Sequence, residues 1–330
     1  MPSIKNYLSR YFGQETPKPP PITTATAAAL LVVYTLIYVV PFYLSATTRP
    51  SRTLSRDAPS VIRARITSVS LSCVVCSVIT FVIHTSQGHA THAEALHSLG
   101  YWPVGLRETA SSLLLTAILF SGPLFENLVV DGAWRDWMSL RSMSGLWSEW
   151  TTWRNIVAGP LTEEILFRSA SVPLMLMAHT SVTQTIFLLP VIFGLAHLHH
   201  FYEFRVTHPQ IPVATGLLRS VLQFSYTSLF GAYATFLFLR TGSVLAIFAT
   251  HAFCNMMGLP RFWGRVRPLS DYDQWEYNED RDGGKAKQRT EPSIMWTIAY
   301  YVLLIAGAVG WWKNLGALTK SDYALVSISI

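Results

Sequence analysis

Between Ile22 and Leu44 the sequence runs for 23 residues without a charged side chain. A helix of that length, rising 1.5 Å per residue, crosses the roughly 30 Å hydrocarbon core of a bilayer. Further apolar stretches follow at about 66–84, 109–130, 155–178, 183–202, 215–240, 243–260 and 294–312. In lipid every backbone polar group must be satisfied within its own segment, so stretches of this length predict helices. The expected fold class is an all-α integral membrane protein of about eight transmembrane helices. Intervals 155–178 and 243–260 are less apolar than the others and are candidates for partly re-entrant segments. Composition points the same way: 50% of residues are hydrophobic and 13% charged, where soluble domains carry about 25% charged residues. A disordered chain, a collagen-like chain and a Cys-rich scaffold are all excluded.

The expected organisation is a polar N-terminal tail at 1–21, ending in the proline cluster Pro17–Pro21, and a polytopic domain at 22–312. A tail of residues 313–330 closes the chain. The first tail has no short apolar core with a cleavage site, so no cleaved signal peptide is expected. Within the domain the chemistry concentrates in a core at 155–260, followed by a mixed-charge polar loop at 261–293 with a Gly283–Gly284 pair. The net charge is +6, but the basic residues lie between apolar blocks and no nucleic-acid motif occurs, so no nucleic-acid partner is expected. Loops 45–65, 131–154, 203–214 and 261–293 hold 16 of the 25 Lys and Arg. The positive-inside rule places them in the cytoplasm and both termini across the membrane.

Cys73, Cys76 and Cys254 all sit in apolar runs and read as packing residues. His84, His89, His92 and His97 have spacings too unspecific for a metal site. No cofactor or metal is expected.

Ionisable groups inside spans are costly, about 2.5–3.5 kcal/mol each on insertion scales, and default to a functional reading. Three clusters stand out: Gly159-Pro160-Leu161-Thr162-Glu163-Glu164-Ile165-Leu166-Phe167-Arg168, Phe193-Gly194-Leu195-Ala196-His197-Leu198-His199-His200, and His251-Ala252-Phe253-Cys254-Asn255. Glu164 and Arg168 are four apart, on nearly one helix face, and can pair. Glu163 lies about 100° round the helix and is left to face another element. His251 and Asn255 are also four apart, so both side chains can aim at one point. A carboxylate and a histidine can polarise a water, and a His/Asn donor pair can stabilise an oxyanion. Such equipment suits a peptide hydrolase working in the membrane plane. The plainer reading is that Glu164–Arg168 is a structural pair, and that His199 and His200, beside Phe201, Tyr202 and Glu203, mark a membrane exit.

The three clusters resemble the E-E-x-x-x-R, F-x-x-x-H and H-x-x-x-N motifs of the CAAX protease family, and Phe193–His200 resembles its eukaryotic Ras-converting branch. The motifs cover residues 159–260, about a third of the chain. The resemblance implies eight transmembrane helices enclosing an intramembrane catalytic cavity, in the endoplasmic reticulum membrane and open to the cytosol. It implies removal of the last three residues from farnesylated or geranylgeranylated CAAX proteins, such as small Ras-like GTPases. On that pattern Glu163 is the catalytic glutamate and His197 its partner in activating water. His251 and Asn255 form the oxyanion hole, while Glu164 and Arg168 shape the site. Alternative expectations are a metal-dependent protease built on Glu163, His197 and His251, a proton-coupled transporter, and a scaffold that binds prenylated tails uncut.

Overall fold

A computed structural model describes residues 19–139, 144–268 and 293–328. Most of the expected N-terminal tail and of the polar loop at 261–293 lies outside the described residues. Among the described residues every regular element is helical. The principal ones are α1 (Thr24–Val39), α2 (Pro59–Ser86), α3 (Leu106–Leu119), α4 (Gly159–Glu164), α5 (Val182–Ala196), α6 (His199–Thr207), α7 (Val213–Thr241), α8 (Val244–Met257) and α9 (Ile294–Leu318).

All eight apolar intervals contain helix, but they differ in what they can do. Among the described residues, four helices are long and apolar enough to cross a membrane: Thr24–Leu44, Pro59–Ser86, Val182–Thr207 and Ile294–Leu318. The count rises to five when Leu106–Leu119 and Ser121–Val130, bent by 81°, are taken as one. Pro123 explains the bend, because it lacks the N–H that would bond Leu119 and its ring crowds that carbonyl. Helix α7 has 29 residues but carries Arg219 and Arg240, and α8 has only 14. The last helix continues to Leu318, beyond the limit of 312 expected from hydropathy.

The interval at 155–178 is not one regular helix. Wide π turns at Arg154–Ala158 and Ile165–Ser169 flank α4. Pro160 cannot donate to a carbonyl one turn back, and its ring excludes one there. The chain widens just ahead of it, with Gly159 N–H bonding Arg154 O. A Cβ on Gly159 would stand 2.9 Å from that oxygen, so only glycine fits. Single π turns recur at functional sites, where they re-aim side chains.

Helices α5 and α7 pack at close range. Pro190 lies inside α5, and Ser228 donates to its carbonyl across the interface at 3.4 Å. A Cβ on Gly231 would meet Pro190 Cβ at 2.8 Å and Arg168 Nη2 at 3.0 Å. Small residues let helix backbones approach in lipid, where packing rather than water exclusion drives association. Gly231→Ala is expected to destabilise the fold by about 1–3 kcal/mol. A lower thermal unfolding midpoint in detergent checks this; an unchanged midpoint would mean Pro190 and Arg168 yield freely.

Buried hydroxyls join the remaining elements. Tyr34 and Thr80 share a hydrogen bond of 2.9 Å, and Thr80 donates to Ala170 O at 2.8 Å. These contacts tie α1 and α2 to the segment carrying the two glutamates. Cys73 and Cys76 are buried and free, and the Cys73 thiol donates to Thr162 O at 3.2 Å.

Candidate active site

Residues of α1, α2, α4, α5, α6 and α8 converge on one cavity of about 390 Å³. Tyr38, Thr162, Glu163, His197, His200 and Asn255 are among its lining residues. Arg56, Arg65 and Arg154 form a basic wall of the same cavity. Thr162 anchors the floor: its hydroxyl donates to Ala158 O at 2.7 Å and meets the Tyr38 hydroxyl at 3.1 Å.

The adjacent glutamates have opposite surroundings. The Glu164 side chain is 0% exposed, and its Oε1 accepts from Arg168 Nη1 at 3.1 Å and from His251 Nδ1 at 2.7 Å. Arg168 is itself buried, its guanidinium carbon 4.5 Å from the Phe193 ring centroid and 5.9 Å from that of Phe230. Glu163 is 24% exposed and lines the cavity, 3.9 Å from His251 Nε2. One carboxylate is thus an anchor inside the protein, while the other is presented to whatever enters.

The histidines are held in defined orientations. His197 Nδ1 lies 2.8 Å from Phe193 O, and a carbonyl can only accept. The proton of the neutral ring is therefore on Nδ1, leaving a lone pair on Nε2. His251 Nδ1 donates to Glu164 in the same way, which turns Nε2 toward Glu163. His251 and Asn255, four apart on α8, do not share a partner. The Asn255 amide donates to Asn155 O at 2.9 Å and is exposed in the cavity, whereas His251 is nearly buried between the glutamates. Among the described residues, no group of three or more His, Cys, Asp or Glu is arranged to hold a metal ion.

One group of residues was not legible as part of the site. Glu203, at the inner face of α6, accepts from Arg65 Nη2 at 2.7 Å, from Arg56 Nη1 at 3.3 Å and from His200 Nδ1 at 3.2 Å. Hydropathy reads Arg56 and Arg65 as cytoplasmic loop charges and His200 as a membrane-exit residue. The available signal was the His200–Glu203 spacing of three on a short helix, since the arginines come from over 130 residues away.

Comparison with known proteins gives a consistent result. The family model described as "Type II CAAX prenyl endopeptidase Rce1-like" matches residues 145–257. The chain is 40% identical to the Probable CAAX prenyl protease 2 of Schizosaccharomyces pombe, over 71% of this chain and 81% of that protein. It is 33% identical to CAAX prenyl protease 2 of Arabidopsis thaliana, over 75% and 84% of the two chains. With the Homo sapiens protein of that name it shares 36% identity, over 63% and 64%. No solved structure matches it.

Proposed function

The chain belongs to the CAAX prenyl protease 2 family, and on that premise we propose that it removes the last three residues of prenylated CAAX proteins, using a water activated by Glu163 and His197. The observation that carries this reading is the contrast between the two glutamates. Glu164 is fully buried and doubly bonded, whereas Glu163 lines a cavity shared with His197 and Asn255.

Glu163 and the Nε2 lone pair of His197 orient a water, and Glu163 accepts its proton as the oxygen attacks the scissile carbonyl. The resulting oxyanion takes hydrogen bonds from the second N–H of Asn255 and from His251 Nε2 with its ring protonated. Glu164 and Glu163 flank that ring, and preorganised donors of this kind stabilise developing negative charge. Collapse breaks the C–N bond, and the proton held by Glu163 passes to the departing amine. Glu164 and Arg168 act as positioning residues through the Glu164–His251 hydrogen bond. The substrates are farnesylated or geranylgeranylated proteins, among them small Ras-like GTPases. A single prenyl chain anchors only marginally, so an enzyme in the endoplasmic reticulum membrane with a cavity open to the cytosol can receive lipid and peptide together. About eight membrane crossings, with α7, α8 and the irregular segment at 155–178 added to the longer helices, complete this picture.

The test is incubation of the purified protein with an S-farnesylated CAAX peptide, with and without a chelator. Release of the intact C-terminal tripeptide by mass spectrometry, unaffected by chelation, is the expected result. Activity lost to chelator and regained with zinc would replace the mechanism by a metal-dependent one. Binding without cleavage would leave a scaffold.

A further inference from the structure

The basic wall of the cavity has no role in the chemistry above. Glu163 is the sole acidic residue among the described side chains lining the cavity, against three guanidiniums. They differ in how far their donors are committed. Arg65 is 13% exposed and commits three donors, bonding Thr48 O through Nε and Nη2 and Glu203 through Nη2. Arg154 donates to Asp57 at 2.7 Å, to Arg56 O at 3.4 Å and to Asn155 Oδ1 at 2.9 Å. Arg56 makes a single side-chain hydrogen bond among the described residues, to Glu203 at 3.3 Å, with Asp57 Oδ1 4.0 Å from its Nε, and remains 40% exposed.

We infer that Arg56, backed by Arg154 and Arg65, binds the free C-terminal carboxylate of the substrate and so sets where the chain is cut. The inference deepens the endopeptidase reading above and rests on it. An enzyme that releases three residues must measure from the chain end. Three extended residues reach about 10 Å, and an anion site fixed in the same cavity as Glu163 acts as a ruler. A guanidinium is suited to the task because its planar fork meets both carboxylate oxygens. The two ends of the ruler are connected. Arg154 Nε donates to Asn155 Oδ1, and Asn155 O accepts from Asn255. The basic wall is therefore two residues from the proposed oxyanion donor.

Electrostatics favours an anion there. Burial lowers the Arg56 pKa from its ordinary value; Glu203 opposes this, and the nearby Arg154 and Arg65 add to it. A carboxylate entering between the guanidiniums relieves that crowding.

The experiment measures binding in protein that does not turn over. Glu163→Gln protein in neutral detergent is titrated with an S-farnesylated peptide ending in Cys-Val-Ile-Met, either as the free acid or as the C-terminal amide. The amide is expected to bind about tenfold more weakly, the typical effect of losing one charge-assisted contact. Adding Arg56→Gln should weaken the acid by about the same factor and leave the amide nearly unchanged. Arg56→Lys should recover part of the preference. Equal binding of acid and amide to protein with Arg56 intact overturns the inference. So does an equal loss for both peptides on Arg56→Gln, which would assign Arg56 to supporting Glu203 or to anionic lipid headgroups. Cleavage by the wild-type chain is read separately. A clear acid preference without tripeptide release would sink the endopeptidase reading and leave the carboxylate site standing.

Discussion

Glu163→Gln is expected to lower kcat on a farnesylated CAAX peptide by about 10²- to 10⁴-fold, the usual contribution of a positioned general base. The unfolding midpoint and the affinity for the peptide should stay close to wild type. Glu163 accepts no hydrogen bond from the described residues, His251 Nε2 lies 3.9 Å away, and glutamine fills the same space. The amide oxygen can still accept from a water but cannot take its proton. Mass-spectrometric release of the tripeptide at saturating substrate isolates kcat. A fall of less than about tenfold would move the base elsewhere, His197 being next in line because its Nε2 lone pair serves the same cavity. A loss of stability in parallel with the rate would mean that Glu163 is a structural charge.

What the sequence disclosed and what it withheld follow from the range of the interactions. Glu164 and Arg168 lie one helical turn apart, so their pairing is written in local spacing, and the structure has it at 3.1 Å even though a π turn lies between them. The His251–Glu164 bond joins residues 87 apart. It was illegible because helix periodicity says which residues share a face, not which helix that face meets. For the same reason the i, i+4 spacing of His251 and Asn255 suggested a common target. The packing of α8 against the glutamate segment adds an anchor for each, His251 on Glu164 and Asn255 on Asn155, that spacing does not name. Apolar length located all eight helical intervals but not their irregularity. The π turn ahead of Pro160 and the bend at Pro123 arise from single prolines that barely alter mean hydropathy. The basic wall was hidden most deeply, since Arg56 and Arg65 serve equally well as topological charges until Glu203 is brought beneath them.

Arg168→Met is expected to destabilise the protein by about 3–5 kcal/mol, because it strands a carboxylate in the interior. Glu164 Oε1 would keep only His251, and its Oε2 has no hydrogen-bond partner among the described residues. Methionine fills much of the space against Phe193 and Phe230, so the loss reports charge more than volume. Glu164→Gln on its own should cost a similar amount by leaving the guanidinium uncompensated. Combining the two removes both buried charges, and the double variant should recover most of the stability that either single change loses. Thermal or denaturant unfolding of the four proteins in one detergent measures that coupling; strict additivity of the two losses would show that the pair contributes nothing as a pair. Activity should separate from stability in the double variant. With Glu164 neutral, His251 Nδ1 loses its charge-assisted acceptor, and the ring that presents Nε2 to the cavity is held less firmly. The double variant is therefore expected to fold and to bind the farnesylated peptide, yet to cleave it at least tenfold more slowly than wild type. Full recovery of cleavage along with stability would confine Glu164 and Arg168 to the fold and remove His251 from the path of the oxyanion.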